Sequence, residues 1–204
     1  MVACLHMNEP VKAEQNSYEW LTGDCLELAP KLLGWELVSL AGGIKTSGRI
    51  VECEAYHGLE DPASHAFRGP TRRTAPMFEE GGHVYVYLSY GVHTCMNIVT
   101  GPKGEGQAIL LRALEPVTGL DTMMRRRGTT VLTNLCSGPG KLTRALGIGL
   151  GLSGARLGGV LRLRPPQNPY NSDLVVTGPR VGITKALHNP WRFYLRGSPH
   201  VSRR

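Results

Sequence analysis

From Gly48 to Tyr56 the chain reads Gly-Arg-Ile-Val-Glu-Cys-Glu-Ala-Tyr, and no other stretch constrains the fold so tightly. Successive side chains of an extended strand point to opposite faces, so Glu52, Glu54 and Tyr56 share one face and Val51, Cys53 and Ala55 the other. The apolar face has to lie on a core. The opposite face then carries two carboxylates beside an aromatic ring. His57, Glu60, Asp61 and His65 follow within ten residues, so proton-transfer capacity is concentrated here in a chain with only 16 acidic residues.

The rest of the pattern supplies partners for that strand. Trp35–Leu40 and Arg49–Tyr56 flank Gly42-Gly43 and read as a hairpin with a long or bulged turn. Val84–Tyr90 and Val92–Val99 are β-rich runs around Gly91, which puts Tyr90 at or near a tip. Gln107–Leu114 is a further strand. On it Arg112 shares a face with Ala108, Leu110 and Leu114, and a cation there needs a partner, most economically a carboxylate from a neighbouring strand. Val160–Leu163 predicts one short strand, and Pro179–Ile183 with Pro190–Ser198 two closing strands.

Helical signals are shorter. Asp24 and Glu27 resemble a capping box ahead of the stripe Cys25, Leu28, Ala29, Leu32 and Leu33, and Pro30 predicts a kink or a break within it. Thr118–Arg127 reads as a helix whose last turn carries three arginines, a favourable place for them at the negative end of the dipole. Ser137 is the expected N-cap of a helix opening at Cys136–Leu142, where free backbone N–H groups beside Lys141 would suit a phosphate, although no Walker loop is present. Residues 57–82 lack periodicity, and a loop of that length is usually functional.

A length of 204 residues suits one domain, expected over 18–204, with a flexible stretch at 1–17. Lys and Arg outnumber Asp and Glu by 23 to 16, and the resulting charge of +7 favours a polyanionic partner. Arg72-Arg73, Arg125–Arg127 and Arg203-Arg204 contribute much of it, and arginine binds phosphate bidentately. Five scattered cysteines without C-x-x-C indicate neither a disulfide framework nor a zinc knuckle. With no signal-like leader and no apolar run of 18 residues, the expectation is a soluble intracellular protein.

The acidic and histidine cluster matches no metal-ligand spacing, so no metal site is expected; a solvated loop accounts for Glu60 and Asp61 but poorly for Glu54. Tyr85 reads as a packing residue. Tyr90, beside a turn glycine, has little around it to bury it, and exposed aromatics near arginines are equipment for stacking on bases.

Gly48–Tyr56, Ser64-His65, Arg68-Gly69, Met77-Phe78, Val84–Tyr87 through Tyr90-Gly91, Cys95–Asn97, Leu110–Pro116, Cys136–Leu142 and Arg192–Ser198 together resemble the alkyladenine (3-methyladenine) DNA glycosylases, in order from about Leu28 to Val201. That resemblance implies an α+β fold: one mixed domain on a curved antiparallel sheet, with a protruding β-hairpin and short surrounding helices. It implies a monofunctional glycosylase of base excision repair, without cofactor, that acts as a monomer on double-stranded DNA containing damaged purines.

By the same resemblance Glu54 is the carboxylate that activates water, and Arg112 and the Val181 main chain help to hold that water. Tyr56, His65 and Tyr87 form the slot around a flipped base, Asn97 crowds the exocyclic amine of guanine, and Tyr90 is the wedge. Arg72, Arg73, Val92, His93 and Lys141 are expected against the DNA. Departures from the family pattern fall at Thr74, at Val92-His93 and at Leu187–Asn189, which bears on substrate range rather than on Glu54. Two other readings use the same residues: a non-catalytic module that binds damaged DNA, and a carboxylate-dependent hydrolase of a nucleoside or phosphorylated small molecule.

Overall fold

The apolar runs pair into one antiparallel sheet of eight strands. In the computed structural model, which describes residues 18–167 and 171–202, these are β1 (Glu36–Ser39), β2 (Thr46–His57), β3 (Val84–Ser89), β4 (His93–Thr100), β5 (Gln107–Thr118), β6 (Leu161–Arg164), β7 (Val175–Gly178) and β8 (Arg192–Leu195). The expected flexible stretch at 1–17 and Arg203-Arg204 lie outside the described residues.

The strand order is β3-β4-β5-β2-β1-β6. β2 is the organising element because its twelve residues serve two neighbours along one edge: Thr46–Arg49 pair with β1, and Glu52–Glu54 pair with β8, which carries β7 in turn. β5 runs along the other edge, where the register shifts three times, once at Ser47/Gly48 and twice between Ile50 and Cys53. Ile50 faces Leu114, Glu52 faces Ala113 and Cys53 faces Leu111, so Val51 and Arg112 are the extra residues. Such irregularities bend strands and re-aim side chains. Here two of them lie beside the carboxylates.

Among the described residues four short helices complete the α+β fold: α1 (Cys25–Leu32), α2 (Leu120–Arg127), α3 (Leu132–Leu135) and α4 (Pro139–Leu146). Leu28, Ala29 and Leu32 of α1 and Leu142, Ala145 and Leu146 of α4 are buried in one cluster with Val51, Cys53 and Ala55, the apolar back of β2. Each fully buried leucine there contributes about 1.5–3 kcal/mol. This is the layer that holds the opposite face of β2 at a fixed height.

Several local expectations are corrected. α1 runs through Pro30 without a break, ending two residues later, and Asp24 caps it through the Leu26 N–H (2.7 Å) while Glu27 points to Lys31 instead of closing a capping box. The N-cap of α4 is Gly138, since Pro139 takes the first helical position, and Ser137 instead accepts from Lys141 (3.4 Å). α3 had no sequence signal beyond a Leu-x-x-Leu spacing. Pro179–Ile183 is a loop; the strand in that region is β7, four residues earlier. Arg126 and Arg127 donate to the carbonyls of Ala145 and Leu135, both 3.0 Å, so these two are structural.

Residues 57–82 are not structureless: 3₁₀ turns at Gly58–Glu60, His65–Arg68 and Ala75–Phe78 punctuate them. Gly58 is obligatory, because its φ is +58° and a Cβ there would stand 2.1 Å from the Glu105 carbonyl oxygen. Among the described residues no helix is long and apolar enough to cross a membrane.

Candidate active site

Glu54 is 0% exposed, on the polar face of β2. Its Oε1 accepts from the Val181 N–H (2.7 Å) and pairs with Arg112 Nη1 (3.2 Å), and its Oε2 accepts from the Tyr56 hydroxyl (3.0 Å). A carboxylate has about four acceptor positions, so roughly one stays open, on the Tyr56 side. Burial raises the Glu54 pKa above the ordinary carboxylate range, opposed by Arg112, the Val181 N–H and Tyr56. The partner expected for Arg112 is therefore present twice over, because its Nε also donates to Glu52 (3.0 Å).

The two carboxylates differ in what they can do. Glu52 is equally buried and accepts from Arg112, from Arg192 Nε (2.7 Å), and from both the N–H and the hydroxyl (2.9 Å) of Ser202. Four donors converge on it, three on Oε1 and one on Oε2, against three on Glu54. Glu52 anchors chain; Glu54 retains an acceptor.

Val181 reaches Glu54 because the loop before it is locked. Arg180 donates twice to Asp61 and once to the Ala55 carbonyl (3.0 Å), and its guanidinium lies 4.7 Å from the Tyr56 ring centroid and 4.9 Å from that of Trp191. Asp61 is thus not a solvated loop residue: its side chain, like that of Arg180, is wholly buried. Sequence reasoning missed Arg180 and Trp191 and read Asp61 as solvated, since no periodicity links residues more than a hundred positions apart.

A cleft of about 1720 Å³ opens beside this cluster, lined by Tyr56, His65, Tyr87, Asn97, Arg112 and Val181 among others. His65 packs edge-on against Tyr87 at 4.6 Å between centroids, Tyr87 stacks on Tyr85 at 5.3 Å, and His65 Nδ1 lies 3.1 Å from the Tyr85 hydroxyl. Tyr85 is a packing residue, as expected, and it also orients the imidazole. Burial and the nearby Arg73 both lower the His65 pKa. A neutral imidazole does not repel a cation. Asn97, on β4, donates from Nδ2 to the Tyr85 carbonyl (3.2 Å).

At the mouth, the β3–β4 hairpin ends in a turn closed by the Val92 N–H on the Ser89 carbonyl (3.1 Å). Tyr90 (84% exposed) and Val92 (71%) project from it, and His93 packs against Gly140 at the start of α4. Arg73 lies 5.7 Å from the Tyr87 centroid and lines the cleft, whereas Arg72 is exposed outside the lining. Lys141 lines it too, with its ammonium held by Asn134 and Ser137. Thr74, one of the departures noted above, is buried and ties the loop to Thr71 (2.9 Å). Among the described residues no three His, Cys, Asp or Glu side chains converge as metal ligands would.

This arrangement can hold a flat ring in an aromatic slot, next to a carboxylate with one free acceptor position, beneath an exposed aromatic tip. The model of the family described as methylpurine-DNA glycosylase matches residues 19–199. A protein of Methanoculleus marisnigri is 54% identical over 184 residues, covering 89% of this chain and 95% of its own length. One from Nitrosospira multiformis is 49% identical (87% and 89% covered), and one from Bacillus cereus is 45% identical (95% and 100%). All three bear the name "Putative 3-methyladenine DNA glycosylase".

Proposed function

The chain belongs to the methylpurine-DNA glycosylase family, and from that premise we propose that it flips alkylated or deaminated purines out of double-stranded DNA and excises them with a water activated by Glu54. It is a DNA glycosylase of base excision repair, a hydrolase of N-glycosyl bonds acting on DNA inside the cell. The substrates are 3-methyladenine, 7-methylguanine, hypoxanthine and ethenoadenine. The enzyme works as a monomer and needs neither metal nor cofactor.

One observation carries the reading: a buried carboxylate directly behind the wall of an aromatic cleft, held by three donors, Tyr56, Arg112 and the Val181 N–H, whose residues line that cleft, with one acceptor position left. The flipped purine enters between Tyr56 on one side and His65 with Tyr87 on the other. Tyr90 fills the gap in the duplex. Water donates a proton to Glu54 as its oxygen bonds to C1′, and the C1′–N bond breaks with its electron pair leaving on the purine. Arg112 balances the charge of Glu54 and, with the Val181 main chain, borders the water position.

A purine that already carries positive charge leaves without further help, while a neutral one needs a proton. Glu52 is assigned no proton transfer, because it already anchors Arg112, Arg192 and Ser202 through four hydrogen bonds. Asn97 crowds the exocyclic amine of guanine and so disfavours the normal base.

The test is incubation in EDTA with duplexes carrying a single 7-methylguanine, hypoxanthine or ethenoadenine, followed by alkali, with Glu54→Gln alongside. Alkali-dependent breaks from the parental protein, reduced by about 10²–10⁴ in the variant, are the expected result. Breaks at the parental rate from Glu54→Gln would refute the mechanism. Tight, salt-sensitive binding without breaks would instead make this a damage-binding module.

A further inference from the structure

The segment that follows β8 returns to the cleft at Ser202, which lines it beside Arg112. The Ser202 hydroxyl donates to Glu52 Oε1 (2.9 Å) and accepts from Arg112 Nη2 (3.2 Å), while its N–H donates to Glu52 Oε2. We propose that Ser202 is a positioning residue of the glycosylase site, a hydroxyl bridge that aims the Arg112 guanidinium at Glu54. The inference rests on the Glu54 reading above, and Ser202 falls beyond the residues that the family model matches.

The geometry explains why a bridge is needed. Arg112 sits at an irregularity between β2 and β5, so the sheet does not seat it opposite one residue. Two carboxylates then compete for it: Nε goes to Glu52 and Nη1 to Glu54, with the Val181 carbonyl at 3.4 Å. Nη2 has Ser202. A planar guanidinium held at all three nitrogens cannot swivel toward Glu52. Without the hydroxyl, Nε stays on Glu52 but Nη2 is no longer held, and the guanidinium is free to turn away from Glu54.

The groups facing Glu54 are Arg112 from β5, Glu52 and Tyr56 from its own strand, Arg180 from the loop before Val181, and Tyr87 from β3, while Cys53 lies behind it on the apolar face of β2. Arg112 is foremost among those that hold the Glu54 proton affinity down. Loosening it raises that affinity further, so the acid limb of the rate profile moves to higher pH.

The experiment is single-turnover excision across pH with Ser202→Ala, Ser202→Thr and Glu54→Gln. Ser202→Ala is expected to lower the rate at saturating enzyme by on the order of tenfold to a hundredfold and to shift the acid limb upward, with Ser202→Thr restoring both. An unmoved acid limb in Ser202→Ala, whatever its rate or melting temperature, overturns the proposal, as does a Thr variant no better than Ala. If Glu54→Gln excised like the parent, the mechanism itself would fail, a result distinguishable from either of these.

Discussion

Arg180 and Asp61 form a bidentate ion pair in which neither side chain is exposed, across 119 positions of sequence. The pair ties the loop carrying Val181 to the turn after β2, and it also sets a guanidinium between Tyr56 and Trp191. Two parts of the site therefore depend on one contact.

Removing one partner from such a pair strands a buried charge. Asp61→Ala is expected to cost about 3–5 kcal/mol, read as a fall in the urea midpoint, with a loss of excision because the Val181 N–H no longer holds Glu54. Joint replacement of Asp61 and Arg180 by apolar residues of similar volume should be milder for stability than Asp61→Ala alone. Equal or greater destabilisation by the double change would refute the stranded-charge account.

Glu54 makes a stability prediction opposite in sign to its catalytic one. Its folded pKa is raised, so the native state holds the proton more tightly than the unfolded chain does. The contribution is fully present below the unfolded carboxylate pKa and is lost as pH rises through the folded value; at neutral pH the ionised group destabilises the fold. Glu54→Gln should thus melt higher than the parent at neutral pH, with the difference shrinking on acidification. Melting curves between pH 4 and pH 8 would show it.

Tyr90 has φ +49° and Gly91 φ +72°, so both central residues of the hairpin turn are in the left-handed region. A tyrosine there costs about 1 kcal/mol or more of backbone strain. Tyr90→Gly is expected to raise stability by about that amount, while lowering excision from duplexes. A variant that is both more stable and equally active on duplex DNA would show that the ring does not act as a wedge.

The two neighbouring arginines should separate. Arg72→Ala is expected to weaken DNA binding and to reduce the salt slope by about 1 if it meets one phosphate. Arg73→Ala should in addition raise the His65 pKa toward its ordinary value, since Arg73 is one of the two causes that lower it. Binding titrations in a salt series and an NMR titration of His65 test these.

Alternation in Gly48–Tyr56 was sufficient to put Glu52, Glu54 and Tyr56 on one face, because strand periodicity is set by the backbone alone. The same locality made the hairpin tip at Tyr90 legible, and the inward cation at Arg112 announced its own need for a carboxylate. What neighbours along the chain could not decide was which acceptors stay free. Glu52 and Glu54 are alike in sequence, and only the return of Arg192 and Ser202 to β2 brings four donors to one while the other keeps three. Asp61 looked solvated and is buried, because the cation that neutralises it arrives from the loop between β7 and β8. Local pattern determines the direction in which a side chain points. Its desolvation and hydrogen-bond partners, and hence its proton affinity, come from segments brought together only when the sheet closes.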